Sequence, residues 1–224
     1  TDYTHEVFDM ELDDSLTAIT KDDVAAVAPE LAATSMSAAN DVAIDEDDLY
    51  LTTKLPYAYD YADGDANVYP AEAHGTHVAG IIAGKSERIT GVATGAQIAT
   101  FKVFPDSGDG AGTDAILAAL NDAVILGVDA INMSLGSSCG FTREADGDAT
   151  NDIYDRVEEA GICLVVAASN DYSSAYGSTN GNTNLASNPD SGTVGSPASY
   201  SASLAVASIS GVKTPYFLLS DGTE

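Results

Sequence analysis

The chain has no tryptophan, two cysteines, three histidines and only eight lysine and arginine residues among its 224. Two cysteines cannot build a disulfide framework. Against the eight cations stand 35 aspartate and glutamate residues, giving a formal net charge of −27 at pH 7. So few cations exclude a nucleic-acid-binding face, which has to neutralise phosphate. They also argue against an anionic membrane surface as partner. No run of about 18 or more apolar residues occurs, so nothing in the chain spans a membrane as a helix. The surplus carboxylates read as a solvated acidic coat, and clusters of this kind also suit structural calcium.

What is present is an ordinary globular core: 45% hydrophobic residues and 20 glycines, enough for one domain of this length. Thr20-Lys21-Asp22-Asp23 offers a helix start, with one or two helices following around Pro29. Residues 50–61 are rich in strand formers, and Ala96 to Phe104 reads as a core strand. Thr113 then caps a helix in which Ile116, Leu117, Leu120, Ala123, Val124 and Leu126 share a face and Gly127 stops the run. Val128 to Met133 is a strand, Ile153 to Ala160 a short helix ended by Gly161, Ile162 to Ala168 a buried strand, and Ser203 to Ile209 a last strand. In this reading Cys163 is a small core side chain, and Cys139 follows an exposed loop. Alternating strands and helices with apolar strands call for an α/β fold: a three-layer, doubly wound, mostly parallel sheet with helices on both faces. Such sheets collect reactive groups at the carboxyl ends of strands. Ser134 and Asn170 both follow predicted strand ends.

His74-Gly75-Thr76-His77-Val78-Ala79-Gly80, followed by Ile81-Ile82-Ala83-Gly84, is the most informative stretch. A histidine where a tight helix of small residues begins is held rigidly at the edge of a cleft, as a general base must be. The ordinary alternative is a pair of histidines satisfied inside a core. The spacing of His74 and His77 is not the i, i+4 pattern of helical zinc sites. Asn170 carries an amide that could donate to a developing oxyanion, or could simply form a turn.

The His74 string resembles the histidine motif of subtilisin-like serine proteases. Asp129-Ala130-Ile131-Asn132-Met133-Ser134-Leu135-Gly136 is similar to that family's strand and loop lining the S1 pocket, and Val165-Val166-Ala167-Ala168-Ser169-Asn170 to its strand ending in the oxyanion asparagine. The resemblance implies that His74 is the catalytic base, that Asn170 is the oxyanion donor and that His77 is structural. It further implies that Gly110, Ala111 and Gly112 on one side, and Ser134, Leu135 and Gly136 on the other, pair with an extended peptide substrate. Thr1 to Phe8 resembles the stretch after the family's catalytic aspartate, which is then expected a few residues before Thr1, leaving Asp2 non-catalytic. The family's serine motif follows the oxyanion asparagine, and no copy of it lies between Asn170 and Glu224. Ala33-Thr34-Ser35-Met36-Ser37 is a lookalike that precedes His74 and has Ala33 where the motif has glycine.

The expectation is therefore a partial subtilisin-like peptidase domain over residues 1–224, truncated at both ends. An acidic helical spacer covers residues 9–50, and residues 188–198 with 203–208 resemble the lactocepin-like branch of bacterial cell-envelope proteinases. In that branch residues 210–224 would begin an inserted protease-associated domain. The resemblance implies a secreted or cell-wall-attached serine endopeptidase acting on peptide or protein substrates. Its Asp/His/Ser triad is only partly in this chain, which alone would be inactive. The chemistry needs no cofactor, and structural calcium is compatible with the acidic clusters. The alternative is a degenerate, inactive protease fold that binds peptides or proteins. Ser169 stands where the family has glycine, and its side chain is expected to make the S1 pocket shallower or more polar.

Overall fold

The computed structural model describes residues 1–31, 46–70, 72–108, 110–137, 147–171 and 193–208. The chain divides into two compact units, Thr1–Ile131 with Ala145–Cys163, and Asn132–Glu144 with Leu164–Glu224.

The first unit opens with a 3₁₀ turn, Glu6–Phe8, in which the Val7 N–H donates to His5 Nδ1 at 3.3 Å. Val7 and Phe8 are buried with Leu55 and Ala79, and Leu51 and Ile98 pack against them. Helix α1 is Lys21–Leu31. It starts where the sequence said it would, because Thr20 and Asp23 form a reciprocal box. Asp23 N–H donates to Thr20 Oγ1 at 3.2 Å, and Asp23 Oδ2 accepts the Thr20 N–H at 2.9 Å. Val24, Ala28 and Leu31 are its buried face. Pro29 lies inside α1, where it removes one backbone donor from the helical ladder. The rest of the acidic spacer that the structure describes contributes the single turn α2, Glu46–Leu49. Whatever of the expected one or two helices follows Leu31, and Ser35 with it, lies outside the described residues.

Strands β1, Tyr57–Asp60, and β2, Ala99–Lys102, pair in parallel from Tyr57↔Ala99 to Asp60↔Lys102. All of β1 is buried, as a strand covered on both faces should be. Between them runs helix α3, His74–Ala83, which starts at the histidine as read from the sequence. Helix α4 is Thr113–Leu126. Its N-cap is Gly112, with no side-chain cap bond, so Thr113 is the first helical residue and not the expected cap. Gly127 ends the helix at φ 73°, as its sequence position required. Helix α5 is Ala149–Glu159, four residues longer at its start than the expected Ile153. The cause is Asp148, whose carboxylate accepts the Thr150 N–H at 2.9 Å. Helix α4 packs against both α1 and α5, and Arg156 Nη1 donates to Asn121 Oδ1 at 2.7 Å.

Strands β3, Ala130–Met133, β4, Cys163–Ala167, and β5, Leu204–Val206, form a sheet in the order β3–β4–β5. β4 and β5 are parallel, with Val165 opposite Leu204. The parallel α/β arrangement expected from the sequence is thus present in both sheets. β4 is not buried on both faces, however. Leu164 and Val166 are buried while Cys163 and Ala167 are exposed, so Cys163 is not the core side chain that the apolar run suggested. The run is apolar throughout, but pleating sends alternate residues to a face that the described residues leave open. Cys139, Ile209 and residues 210–224 lie outside the described residues. No described helix is long and apolar enough to cross a membrane.

One buried network crosses from β1 to α4. Tyr57 Oη and Tyr61 Oη are 2.8 Å apart, Tyr61 Oη donates to Asp122 Oδ2 at 2.8 Å, and Asn121 Nδ2 donates to Asp122 Oδ1 at 3.2 Å. Burial pushes the Asp122 carboxyl up to about 6, against the opposing pull of the Tyr61 and Asn121 donors. The folded state then holds a proton that the unfolded state has released over roughly pH 4 to 6. This group's contribution to stability therefore falls as pH rises through that window, by about 3 kcal/mol in total. Denaturant titrations of the Asp122→Asn variant at pH 4 and pH 7 should show a smaller decline than wild type; an identical decline would mean Asp122 is not its source.

Candidate active site

His74 is the first residue of α3 and is exposed. The helix behind it is fixed at its far end by backbone bonds: Gly91 N–H to Gly84 O at 2.7 Å, Val92 N–H to Ile81 O at 3.0 Å and Ala93 N–H to Ile82 O at 2.7 Å. Segment 1–8 lies along the same helix. Thr1 N donates to Val68 O at 3.0 Å, Asp2 N–H donates to Thr76 Oγ1 at 2.7 Å, and Lys85 N–H donates to Val7 O at 2.8 Å. His77 is exposed as well. Gly110, Ala111 and Gly112 precede α4 in the same unit, with Gly110 at φ 150° and Gly112 at the helix cap.

The second unit contains a cavity of about 270 Å³ at the carboxyl ends of β3 and β4. Ser134, Leu135, Gly136 and Ser137 line it from the end of β3, and Ala167, Ser169, Asn170 and Asp171 from the end of β4. Gly195 closes it. The predicted substrate segment Ser134–Gly136 and the predicted donor Asn170 are therefore brought together around one space. Three backbone bonds hold its rim: Ser137 N–H to Ser196 O at 2.8 Å, Ser196 N–H to Ser137 O at 3.0 Å, and Gly195 N–H to Ala168 O at 3.0 Å. This approach leaves no room for side chains at two positions. A Cβ on Gly136 would stand 2.9 Å from Ser196 O, and one on Gly195 would stand 2.7 Å from Ser137 O. The sequence reading missed Ser137, Asp171 and Gly195. Local pattern carries no sign of a bridge between residues 59 apart, which is the separation of Ser137 and Ser196.

Ser169 is the non-glycine residue with positive φ among those described, at 111°. The family glycine at this position would take that conformation freely, whereas a serine is strained by about 1–3 kcal/mol. Part of the cost is offset because Ser169 Oγ accepts the Asp171 N–H at 3.0 Å. The serine lines the cavity, as expected from its departure from the family pattern.

Asp60, Asp63 and Asp106 are a described group with the spacing for a cation, each offering an oxygen within 4.8 Å of the others. A protein cation already serves them. Lys102 Nζ pairs directly with Asp60, with Asp106 at 3.0 Å and with Asp63 at 3.1 Å. Burial pulls the ammonium pKa down, but hydrogen bonds to Asp60, Asp106 and Asp63 outweigh it and raise Lys102 above the ordinary lysine value. Lys102 therefore offsets part of the negative charge of the three carboxylates.

A polar, glycine-walled cavity at the carboxyl ends of strands is where α/β domains place their ligands. The chain belongs to the subtilase family of serine proteases, whose family model matches residues 41–217. It is 32% identical over 187 residues to the PIII-type proteinase of Lactococcus lactis subsp. cremoris, covering 78% of this chain and 9% of that protein. It is 33% identical over 170 residues to the C5a peptidase of Streptococcus pyogenes serotype M6, covering 72% of this chain and 14% of that protein. Among solved structures, sphericase aligns at 29% identity with a TM-score of 0.49, over 69% of this chain and 47% of that one. The chain thus spans about a tenth of the length of the curated relatives it matches.

Two outcomes are expected. Ser169→Gly should raise the melting temperature by a few degrees, reflecting relief of about 1 kcal/mol of backbone strain; a lowered melting temperature would show that the Oγ bond outweighs the strain. Lys102→Met should destabilise by about 3–5 kcal/mol in denaturant, since it leaves a buried carboxylate unpaired; a stability within error of wild type would show that the cluster is neutralised in another way.

Proposed function

We propose that this chain is the part of a serine endopeptidase domain that carries the general base, the oxyanion donor and most of the substrate cleft. His74 takes the proton from a serine hydroxyl that attacks the scissile carbonyl, and returns it to the leaving amine. The Asn170 side-chain N–H donates to the oxygen that becomes negative in the tetrahedral intermediate. Ser134, Leu135 and Gly136, and likewise Gly110, Ala111 and Gly112, pair with the backbone of an extended substrate. The reaction also needs an aspartate to orient His74 and a serine nucleophile. Secretion or attachment to the cell wall of a bacterium accords with the acidic composition and with the resemblance to cell-envelope proteinases.

The observation that carries this reading is the shared lining of one cavity by Ser134–Gly136 and Asn170, at the ends of adjacent strands. Family membership supplies the reaction class. An exposed amide at the rim of a small polar cavity suits a group that must meet charge only as it develops.

The test uses the full-length protein. A fluorophosphonate probe should label one serine, and His74→Ala should abolish the labelling. Asn170→Ala should lower kcat by about 10²–10³ with KM little changed, the size seen for the subtilisin asparagine in this role. Peptide binding without labelling would instead favour an inactive binding module.

A further inference from the structure

We propose that Thr76 is a positioning residue for His74, acting through its hydroxyl on segment Thr1–Thr4; this rests on the reading of His74 as the general base. Thr76 sits two residues after His74, on the first turn of α3. Its Oγ1 accepts the Asp2 N–H at 2.7 Å, a partly buried bond between residues 74 apart in sequence. Around that bond the segment lies against the start of the helix. Thr1 Oγ1 is 3.8 Å from where a Cβ on Gly75 would stand, so Thr1 lies against one side of the exposed residue between His74 and Thr76. Thr1 N is held by Val68 O at 3.0 Å, and the Tyr3 ring meets Tyr69 edge to face at 6.5 Å.

The segment is stiff in itself. The Asp2 carboxylate accepts both the Thr4 N–H at 2.9 Å and the Thr4 hydroxyl at 2.6 Å, closing a tight turn. That carboxylate is therefore engaged within its own turn, consistent with a non-catalytic role for Asp2. Further on, Val7 is anchored in the core and bonded to Lys85 N–H at 2.8 Å. Among the described residues, the Thr76 hydroxyl is the side chain from the first turn of α3 that grips the backbone of this segment.

A general base works only when its ring is held close to the productive geometry, and an error of about 1 Å can cost about a hundredfold in rate. Segment Thr1–Thr4 packs on the first turn of α3, the turn at whose start the base sits. A tether two residues from the base fixes the spacing between that segment and the ring. Valine keeps the shape of threonine but cannot accept the N–H, so the segment is released while the helix remains.

The experiment compares Thr76→Val, Thr76→Ala and Thr76→Ser in the full-length protein, with kcat normalised to active sites titrated by a burst assay. Thr76→Val and Thr76→Ala should lower kcat about tenfold to a hundredfold, leave KM within about twofold, and shift the acidic limb of the kcat/KM–pH profile, which reports the base in the free enzyme. Thr76→Ser should restore kcat to within about twofold. Wild-type kcat and an unmoved acidic limb in the folded Val or Ala variant would overturn the proposal, as would a folded Ser variant that fails to recover. His74→Ala separates the two levels of the argument. If it retains activity, the general-base reading itself fails; if it is inactive while Thr76→Val is not, only the role of Thr76 falls.

Discussion

Scarcity of cations is the constraint around which the first unit is arranged. With eight lysines and arginines against 35 acids, a buried cation must serve several oxygens at once. Lys102 does so at the carboxyl ends of β1 and β2, pairing with three aspartates of which Asp60 is almost fully buried. Its register partner is Asp60 itself, so the pair closes the parallel ladder as well as balancing charge. Lys54 follows the same logic without a carboxylate. It is completely buried and donates to Thr94 O at 2.7 Å and Ala96 O at 2.6 Å, fixing the segment that leads into β2. Gln97 completes that anchoring, donating to Ile19 O and Thr53 O while accepting the Ala18 and Ile19 N–H groups.

The second unit meets a different demand, which is to keep a space open at the ends of β3 and β4. It does so with backbone alone. Two glycines let the chain segments approach more closely than any side chain allows, and three N–H···O bonds lock them there. Ser169 departs from that economy by placing a side chain at positive φ in the same wall. Strain held beside a cavity is typical of sites where geometry matters more than stability.

Local features were legible in the sequence where one residue type has one physical use. Gly127 stops α4 because only a residue free of Cβ penalty turns left-handed there, and Thr20 with Asp23 starts α1 through a reciprocal box. The start of α3 at His74, and the positions of Ser134 and Asn170 just beyond strands, were read in the same way. Misreadings arose where two residues compete for a role. Gly112 takes the cap that Thr113 was expected to fill, and Asp148 begins α5 earlier than its apolar face suggested. Cys163 was misjudged because an apolar run does not say whether both faces are covered. Lys54, the Tyr57–Tyr61–Asp122 network and the Ser137–Ser196 bridge were out of reach, since each joins residues whose only link is the fold.

The withdrawal of Lys102 from solvent leaves the remaining surface even more one-sidedly anionic. Mobile counterions screen exposed charges over about 10 Å at 0.1 M ionic strength, but they reach a sequestered ammonium poorly. Added salt therefore relieves repulsion among the outer carboxylates while leaving the inner triad intact. A domain so charged is expected to tighten in brine and loosen in dilute buffer.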